Sequence, residues 1–339
     1  MTERSKQNLW LLLLLIAGQV SRIRAKHGLI LCFHRVLAAS DQPFSPTSEL
    51  AITPTFLDRL LAYLRRRNIA IVSLHEALNR VGDHRPFVCF TFDDGYRDNF
   101  EAAFPIFLRH QAPFAIFLTT GFIDRTSPMW WAALEAAIAE SAMTVELPDG
   151  QRMSTRTTRE KYHAYMVGSN WFRQATPSST TLAVHRLVDR VPQAEGRFED
   201  ASATLTWDMV RQMVGSGLVT FGCHTVSHPT LSGLDAATIR EEIVDSRNRI
   251  IDELGVTPVF FAYPYGNITD IGDAPEVLSE QGFCNAFTTY GGSITVDVLT
   301  RPFWVPRISW NGHHQWLSIF DAHSSGLSQI LQNVAALAG

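Results

Sequence analysis

The feature that most constrains the fold of this chain is a series of short apolar segments separated by helix-like stretches. The segments are four to seven residues long and almost continuously apolar; they are 29–33, 69–72, 87–92, 114–119, 218–222, 259–263, 284–288 and 303–308. Continuously apolar strands are typical of parallel sheets that are covered on both faces. The alternation with helices therefore predicts an α/β fold, either an open parallel sheet or a (β/α) barrel.

Two of the intervening stretches carry clear helix signals. Residues 54–67 begin with Pro54, which suits a first helical turn, and continue with an apolar stripe of Phe and Leu residues. Residues 235–254 have Asp235 as an N-cap candidate and are followed by Gly255, which suits a helix end. Both stretches predict helices that pack one face on the sheet.

Residues 124–205 interrupt this rhythm. They contain helical patches at 129–140, 157–174 and 181–192, joined by polar loops, and no convincing buried strand. We interpret the region as a mainly helical insertion between two strands of one large domain, residues 27–339. A chain of 339 residues is compatible with a single α/β barrel that carries an insertion.

The first 26 residues form a separate segment. An apolar run at 9–17 is too short to span a bilayer, which needs about 20 apolar residues, and it is flanked by cations on both sides. This pattern favours a membrane-surface anchor over a signal peptide or an ordinary packed helix. We expect residues 9–20 to contact the membrane, on the cytoplasmic face rather than after export to the periplasm.

Charge and cysteine content limit the possible partners. The formal net charge is −4, so no strongly basic surface indicates a nucleic-acid partner. The four cysteines lie among apolar residues and form no Cys-x-x-Cys pair, which favours buried free thiols over a disulfide framework; they are Cys32, Cys89, Cys223 and Cys284.

Polar side chains follow three of the apolar segments. Asp93 and Asp94 come directly after segment 87–92, where two adjacent carboxylates are costly unless a cation offsets them; a solvated turn is the simpler alternative. His224 and His228 follow segment 218–222 and would share one face of a helical turn, as zinc ligands or as surface histidines. Tyr265 lies in a Pro-x-Gly turn after segment 259–263, which could aim a backbone N–H at an oxyanion or be an ordinary turn.

Two further side chains belong to the same edge. His34 ends segment 29–33, and Arg307 lies in the last segment, which we expect to pair with the first. In barrels the carboxyl ends of the strands line the active site. The sequence therefore predicts that these residues converge there with the two carboxylates, the histidine pair and the Pro-x-Gly turn.

The motifs at this edge resemble those of the polysaccharide deacetylase (NodB-homology) family. The similar stretches are Thr91-Phe92-Asp93-Asp94-Gly95-Tyr96, His224-Thr225-Val226-Ser227-His228-Pro229 and Phe261-Ala262-Tyr263-Pro264-Tyr265-Gly266, with Cys32–Val36 and Val305–Ile308 similar to flanking motifs. The resemblance covers about residues 28–123 and 206–310. It implies a distorted (β/α) barrel and a metal-dependent carbohydrate esterase.

The same resemblance implies roles for individual residues. It implies Asp93 as the general base, Asp94, His224 and His228 as ligands of a divalent metal, usually zinc, and the backbone N–H of Tyr265 in the oxyanion hole. Two family features have no counterpart here. An arginine that orients the base is replaced at Ala262, and a Leu-x-His motif that supplies the catalytic acid is missing, with 310–314 similar only in position.

We predict that Arg307 and His34 take these two roles, Arg307 orienting Asp93 and His34 protonating the leaving group. A structural salt bridge and a histidine on the barrel rim are the respective alternatives. The expected reaction is removal of N-acetyl groups from hexosamine units of an acetylated glycan. O-deacetylation and metal-retaining, non-catalytic sugar binding are the competing hypotheses. Four tryptophans could stack on sugar rings or pack in the core: Trp130, Trp131, Trp304 and Trp310.

Overall fold

The strands of the protein form one large parallel sheet and two small pairs. The computed structural model describes residues 28–38, 42–83, 85–191 and 203–326. The strands, numbered along the chain, are β1 (Leu29–Phe33), β2 (Arg35–Val36), β3 (Ala51–Ile52), β4 (Ala70–Ile71), β5 (Phe87–Phe92), β6 (Phe114–Leu118), β7 (Thr144–Glu146), β8 (Arg152–Ser154), β9 (Val219–Cys223), β10 (Phe260–Ala262), β11 (Asn285–Phe287) and β12 (Ile308–Ser309).

The large sheet has eight strands in the order β11-β10-β9-β6-β5-β1-β12, with β4 paired to β5, and every pairing is parallel. The last strand pairs with the first, Leu31 standing opposite Ile308. An isolated parallel bridge between Phe287 and Val305 brings the chain before β12 back to β11 at the far end of the sheet. The sheet is therefore curled, and the predicted distorted (β/α) barrel is confirmed.

The apolar runs of the strands serve two different cores. On β5, Val88 and Phe90 pack with the surrounding helices, whereas Phe87 and Cys89 face a second cluster with Phe117. The first cluster lies between sheet and helices, and the second fills the interior of the curled sheet. Because side chains alternate across a strand, both sets must be apolar, which explains the continuous runs.

The described residues form eleven α-helices, several of which cover the outer face of the sheet. They are α1 (Pro54–Arg66), α2 (Leu74–Asn79), α3 (Phe104–Arg109), α4 (Thr120–Ile123), α5 (Trp130–Glu140), α6 (Thr158–Gln174), α7 (Pro177–Arg190), α8 (Trp207–Gly215), α9 (Ala236–Leu254), α10 (Ala274–Glu280) and α11 (Leu317–Ser324). The two predicted helices are present. Asp235 caps α9 by accepting a hydrogen bond from the backbone N–H of Thr238, and Gly255 ends it with a φ of 66°.

Between β6 and β9 the chain forms α4 to α8 and a small antiparallel hairpin, β7–β8. Helices α5, α6 and α7 enclose an apolar cluster of their own, which includes Trp130, Trp131 and Phe172. The sequence analysis missed the hairpin because its strands are three residues long and mostly exposed, so they carry no apolar run.

Two expectations about the chain need correction. The segment 303–308 is a regular strand only at its end, because β12 covers Ile308–Ser309 and Arg307 lies one residue before it. Cys32, Cys89 and Cys223 are buried free thiols as predicted, but Cys284 is exposed, since it stands just before β11 and outside its covered part.

The predicted membrane contact at residues 9–20 lies outside the described residues. Within the part of the chain that the structure describes, no helix is both long and apolar enough to cross a bilayer.

Candidate active site

The carboxyl ends of four strands bring the predicted site residues together. His34 directly follows β1, Asp93 and Asp94 follow β5, and His224 follows β9. Tyr265 lies three residues after β10 ends. Hydrogen bonds across the sheet hold these ends in register: the N–H of Asp93 donates to the Phe33 carbonyl, and that of His224 donates to the Leu118 carbonyl.

Asp93 and Arg307 form a buried, bidentate ion pair. Both guanidinium nitrogens Nη1 and Nη2 of Arg307 lie 2.7 Å from the carboxylate oxygens of Asp93. The Arg307 side chain is fully buried and also donates to the Thr91 hydroxyl and the Thr288 carbonyl. Two parallel hydrogen bonds fix the plane of the carboxylate, which a single point charge cannot do.

This ion pair controls the charge of Asp93. Burial by itself disfavours the ionised carboxylate, but the charge and hydrogen bonds of Arg307, together with the charges of His224 and His34, outweigh it and hold the pKa of Asp93 well below its usual range. Asp93 is therefore a carboxylate of fixed orientation at physiological pH.

Asp94, His224 and His228 form a cluster with the geometry of a metal site. Asp94 Oδ1 lies 3.4 Å from Nε2 of His224 and 3.4 Å from Nε2 of His228. Ligands about 2.0–2.2 Å from a tetrahedral zinc ion are about 3.4 Å apart. Asp94 Oδ1 and His224 Nε2 are buried and have no hydrogen-bond partner among the described residues, a deficit that a bound cation would remove. The three residues therefore fit a divalent metal.

The orientation of His224 supports the same conclusion. Its Nδ1 donates to the carbonyl of Ala262 at 2.7 Å, so the lone pair of Nε2 faces Asp94. Such a hydrogen bond to the other ring nitrogen is typical of metal-bound histidines. Ala262, where the family pattern predicts an arginine, thus contributes its backbone oxygen to the cluster.

The electrostatics of the two histidines differ. Burial lowers the pKa of His228 to about 3, so its ring is neutral and able to act as a ligand. Burial would also lower the pKa of His224, but the charges of Asp93 and Asp94 outweigh it and raise that pKa. The buried carboxylates of Asp93 and Asp94 thus favour a positive charge beside His224.

The two histidines converge through a strained loop rather than the helical turn expected from their spacing. Thr225 and His228 have φ values of 67° and 60°, in the left-handed region that ordinary residues avoid. The Thr225 hydroxyl accepts a hydrogen bond from the His228 N–H. Residues held in this region cost about 1–3 kcal/mol each and persist where their surroundings hold them in place.

A carboxylate that the sequence analysis missed holds this loop. Glu242 on α9 is buried and accepts hydrogen bonds from the backbone N–H groups of Val226 and Ser227 and from the Ser227 hydroxyl. No local signal distinguishes Glu242 from the other acidic residues of α9, because its partners Val226 and Ser227 lie 16 and 15 residues earlier.

Tyr265 is positioned by its ring and by its backbone. It has a φ of 61°, and its carbonyl accepts a hydrogen bond from the Thr289 hydroxyl. Its ring packs 4.8 Å from that of His228, and its hydroxyl accepts a hydrogen bond from Trp130. The turn is thereby fixed beside Asp94, His224 and His228, and the role of its backbone N–H as an oxyanion donor stays a prediction.

His34 lies beside Asp93 as predicted. One ring nitrogen of His34, the Cys32 thiol and a carboxylate oxygen of Asp93 lie within 4.8 Å of one another. The buried Nδ1 of His34 has no hydrogen-bond partner among the described residues. The Cys32 thiol donates to Asp93 Oδ2 at 3.3 Å, a contact that the sequence analysis did not predict.

The four tryptophans divide into two groups. Trp130, Trp131 and Trp310 are buried and belong to the apolar clusters. Trp304 is 37% exposed, so it alone of the four could offer a ring face to a sugar.

Comparison with known proteins agrees with this geometry. The family model described as polysaccharide deacetylase matches residues 80–283. No curated protein sequence matches the chain significantly.

Solved structures share the fold. IcaB from Ammonifex degensii has a TM-score of 0.55 at 21% identity, covering 89% of this chain and 98% of its own. The Streptococcus pyogenes deacetylase PplD, solved with acetate, has a TM-score of 0.54 at 17% identity, covering 85% and 94%. A de-N-acetylase from Aggregatibacter actinomycetemcomitans has a TM-score of 0.52 at 15% identity, covering 87% and 99%.

Proposed function

Because this chain belongs to the polysaccharide deacetylase family of hydrolases, we propose that it is a metal-dependent enzyme that removes N-acetyl groups from hexosamine units of a poly- or oligosaccharide or glycolipid. One observation carries the proposal: an oriented, ionised carboxylate, Asp93, stands next to a ligand set of Asp94, His224 and His228. A base beside an open metal site is the arrangement that hydrolysis of an amide requires.

Asp94, His224 and His228 would hold the metal, and zinc is the expected ion because the set combines two imidazoles with one carboxylate. When bound, zinc supplies Lewis-acid chemistry, which activates water at neutral pH and polarises a carbonyl group.

The other steps of the reaction are carried out by side chains and one backbone N–H group of the chain. Asp93 accepts the proton of the attacking water, and Arg307 keeps its carboxylate aimed at that water. The backbone N–H of Tyr265 donates to the oxygen that becomes negative when water adds to the acetyl carbonyl. His34 delivers a proton to the departing nitrogen, because an amine anion is too basic to leave. The products are acetate and a free amino sugar.

The experiment that tests the proposal measures metal content and acetate release on the same preparation. We expect about one zinc ion per chain, and acetate release from N-acetylated oligosaccharides that stops on chelation and returns with added zinc. A matched panel of O-acetylated sugars distinguishes an O-acetyl esterase. Stoichiometric metal without acetate release from any member of either panel would contradict the proposal and indicate a binding module.

Asp93→Asn is the matched variant for this experiment. Asn is nearly the same size but cannot accept the proton, so we expect zinc to be retained while turnover falls about 10²–10⁴-fold. Circular dichroism and metal analysis control for folding. Near-normal turnover of this variant would assign the base to another residue.

A further inference from the structure

A wide groove lies beside the candidate active site and is not used by the proposed chemistry. Its volume is about 1510 Å³. One wall is α6 of the insertion, and the other is formed by residues 45–49 and 311–314. A pocket for a small ligand typically measures about 300–1,000 Å³, so this groove exceeds what one sugar unit needs.

Two side-chain contacts connect the groove to the metal cluster. Arg173, at the end of α6, lines the groove and places its guanidinium 4.2 Å from the centre of the Tyr265 ring. The same Tyr265 ring packs against His228, a member of the metal cluster. Arg173 is held in place by an ion pair with the buried Asp270. The groove therefore begins one aromatic ring away from the candidate metal ligands.

The lining of the groove suits a neutral, hydroxyl-rich ligand. Amide, imidazole, hydroxyl and carboxylate side chains face it, among them Asn170, Asn311, His313, Ser48 and Glu49. The groove is lined by charged side chains of both signs, the cations Arg159 and Arg173 and the carboxylates Glu49 and Glu160. A strongly charged ligand would find no excess of opposite charge here, whereas sugar hydroxyls and N-acetyl groups would find donors and acceptors along the whole length.

An exposed aromatic ring stands on the wall of the groove. Tyr162 on α6 is 42% exposed, and its ring is fixed from behind by Phe44 in an edge contact of 5.1 Å. Its hydroxyl accepts a hydrogen bond from the Ser45 N–H. Met166, one turn along the same helix, is 57% exposed. A rigid ring beside an exposed apolar side chain is a platform on which the apolar face of a pyranose can rest.

We propose that this groove binds the sugar units that continue the glycan chain beyond the unit being deacetylated. The substrate is then an oligosaccharide or polysaccharide held along α6, not a single acetylated sugar. This inference rests on the proposed function, since it takes the acetylated unit to lie at Asp93 and the metal cluster. It assigns the specificity for chain length to the inserted helix.

The test measures binding rather than activity. The full chain carrying Asp93→Asn and loaded with zinc is titrated with N-acetylglucosamine and its oligomers of two to six units, in β-1,4-linked and β-1,6-linked series. We expect the Kd to fall at least tenfold from the single sugar to the hexamer in one of the series. A Kd that is independent of length in both series would overturn the proposal.

Substitutions on α6 then show whether this groove causes the gain in affinity with oligomer length. In the same background, Tyr162→Ala should weaken hexamer binding at least about fivefold, the usual cost of truncating an anchoring aromatic side chain, and leave single-sugar binding unchanged. Tyr162→Phe keeps the ring and should retain most of the affinity. Because Tyr162→Ala also removes support from Phe44, the double variant Met166→Ala with Asn170→Ala provides an independent test without that contact.

Tyr290→Ala is the matched control. Tyr290 is 61% exposed and lines a different cavity, so its loss should not change the binding of any oligomer. If Tyr290→Ala removes the length dependence and the two α6 variants do not, the groove is not the binding site.

Acetate release by the native enzyme separates failure of this inference from failure of the proposed function. Acetate release with equal kcat/KM for all lengths, and no gain in binding with length, would contradict the groove and leave the deacetylase function standing. Length-dependent binding that requires α6, without acetate release from any oligomer, would contradict the deacetylase function and support the groove.

Discussion

At the scale of single residues, His34 is the group whose role most needs a test of its own. Its ring lies beside Asp93 at the end of β1, and its buried Nδ1 lacks a partner among the described residues. If His34 protonates the leaving nitrogen, His34→Ala should lower turnover on N-acetyl substrates about 10²-fold or more. Activated acetyl esters have leaving groups that need no proton, so their hydrolysis should fall much less.

The measurement is the loss of turnover in His34→Ala on N-acetyl substrates divided by its loss on activated acetyl esters. Asp93→Asn provides the comparison, because the base is needed for both kinds of substrate and both rates should fall together. Equal losses on amides and esters in His34→Ala would remove the acid role from His34 and leave it as a positioning residue.

Much of the site could be predicted from the sequence because its residues follow strand ends. Asp93, Asp94 and His224 come directly after β5 and β9, and the carboxyl ends of parallel strands share one edge of the sheet. The contact of Arg307 with Asp93 followed from the pairing of the last strand with the first.

Other contacts at the site have no such signal. The Cys32 thiol reaches Asp93 only because of the register between β1 and β5, which the sequence does not show. The chain between His224 and His228 forms a loop with left-handed backbone, not the helical turn that their spacing suggests. Such backbone strain persists only where tertiary contacts hold it, and the sequence does not show those contacts.

At the scale of structural elements, α9 supports the loop between the candidate metal ligands His224 and His228 through Glu242. Glu242→Gln replaces one acceptor oxygen by an NH₂ group that faces the N–H donors of Val226 and Ser227. The loop should loosen, and zinc affinity should fall about 10–100-fold, the usual effect of losing a group that orients metal ligands. Competition with a chromogenic chelator measures this change directly.

Glu241→Gln is the control on the same helix, because Glu241 is exposed and next to Glu242 in the sequence. It should bind zinc like the native chain, and His224→Ala should bind little or none. Native zinc affinity in Glu242→Gln would show that the loop holds its shape without α9.

A buried histidine on α11 should make the free energy of unfolding depend on pH. His323 lies near the end of α11, close to Trp310, and burial lowers its pKa to about 4. The unfolded chain has the ordinary histidine pKa of about 6.5. Between these values the unfolded state takes up a proton that the folded state does not. The free energy of unfolding therefore falls as the pH drops from about 6.5 to about 4, by about 3 kcal/mol in total.

Urea unfolding at several pH values checks this dependence. Other buried histidines contribute to the slope in the native chain, so the comparison with His323→Gln isolates the effect of this residue. The variant should be less sensitive by about one proton over the window. An unchanged slope would mean that His323 titrates alike in the folded and unfolded states.

The sequence predicted the bounds of some helices accurately and those of the last strand poorly. Long helices with caps, such as α1 and α9, match their predicted ranges within one residue because local capping chemistry decides their ends. The segment 303–308 was predicted as a strand, yet before Ile308 only Val305 makes a strand-like contact, an isolated bridge to Phe287. An apolar run of this length does not show by itself whether its residues pair as a strand or only pack against the sheet.

At the scale of the whole molecule, the two ends of the barrel hold different parts of the chain. The candidate active site occupies the carboxyl ends of the strands. Residues 1–27 precede Gly28, which pairs with Ile294 just before β1 begins, so that segment joins the barrel at the opposite end.

The membrane contact can be tested in the full chain. Replacing Leu12 and Leu14 with Asp puts two charges into the apolar run, and each charge costs about 2.5–3.5 kcal/mol at the centre of a membrane helix and less at its surface. We expect vesicle binding to fall at least tenfold while acetate release from soluble oligosaccharides is unchanged, because the barrel is untouched. Leu182→Asp is the matched control: Leu182 is 52% exposed on α7, so its replacement adds a charge without altering the N-terminal run. Vesicle binding that survives the double substitution would place the contact elsewhere on the chain, and binding lost equally in Leu182→Asp would make it a general effect of charge.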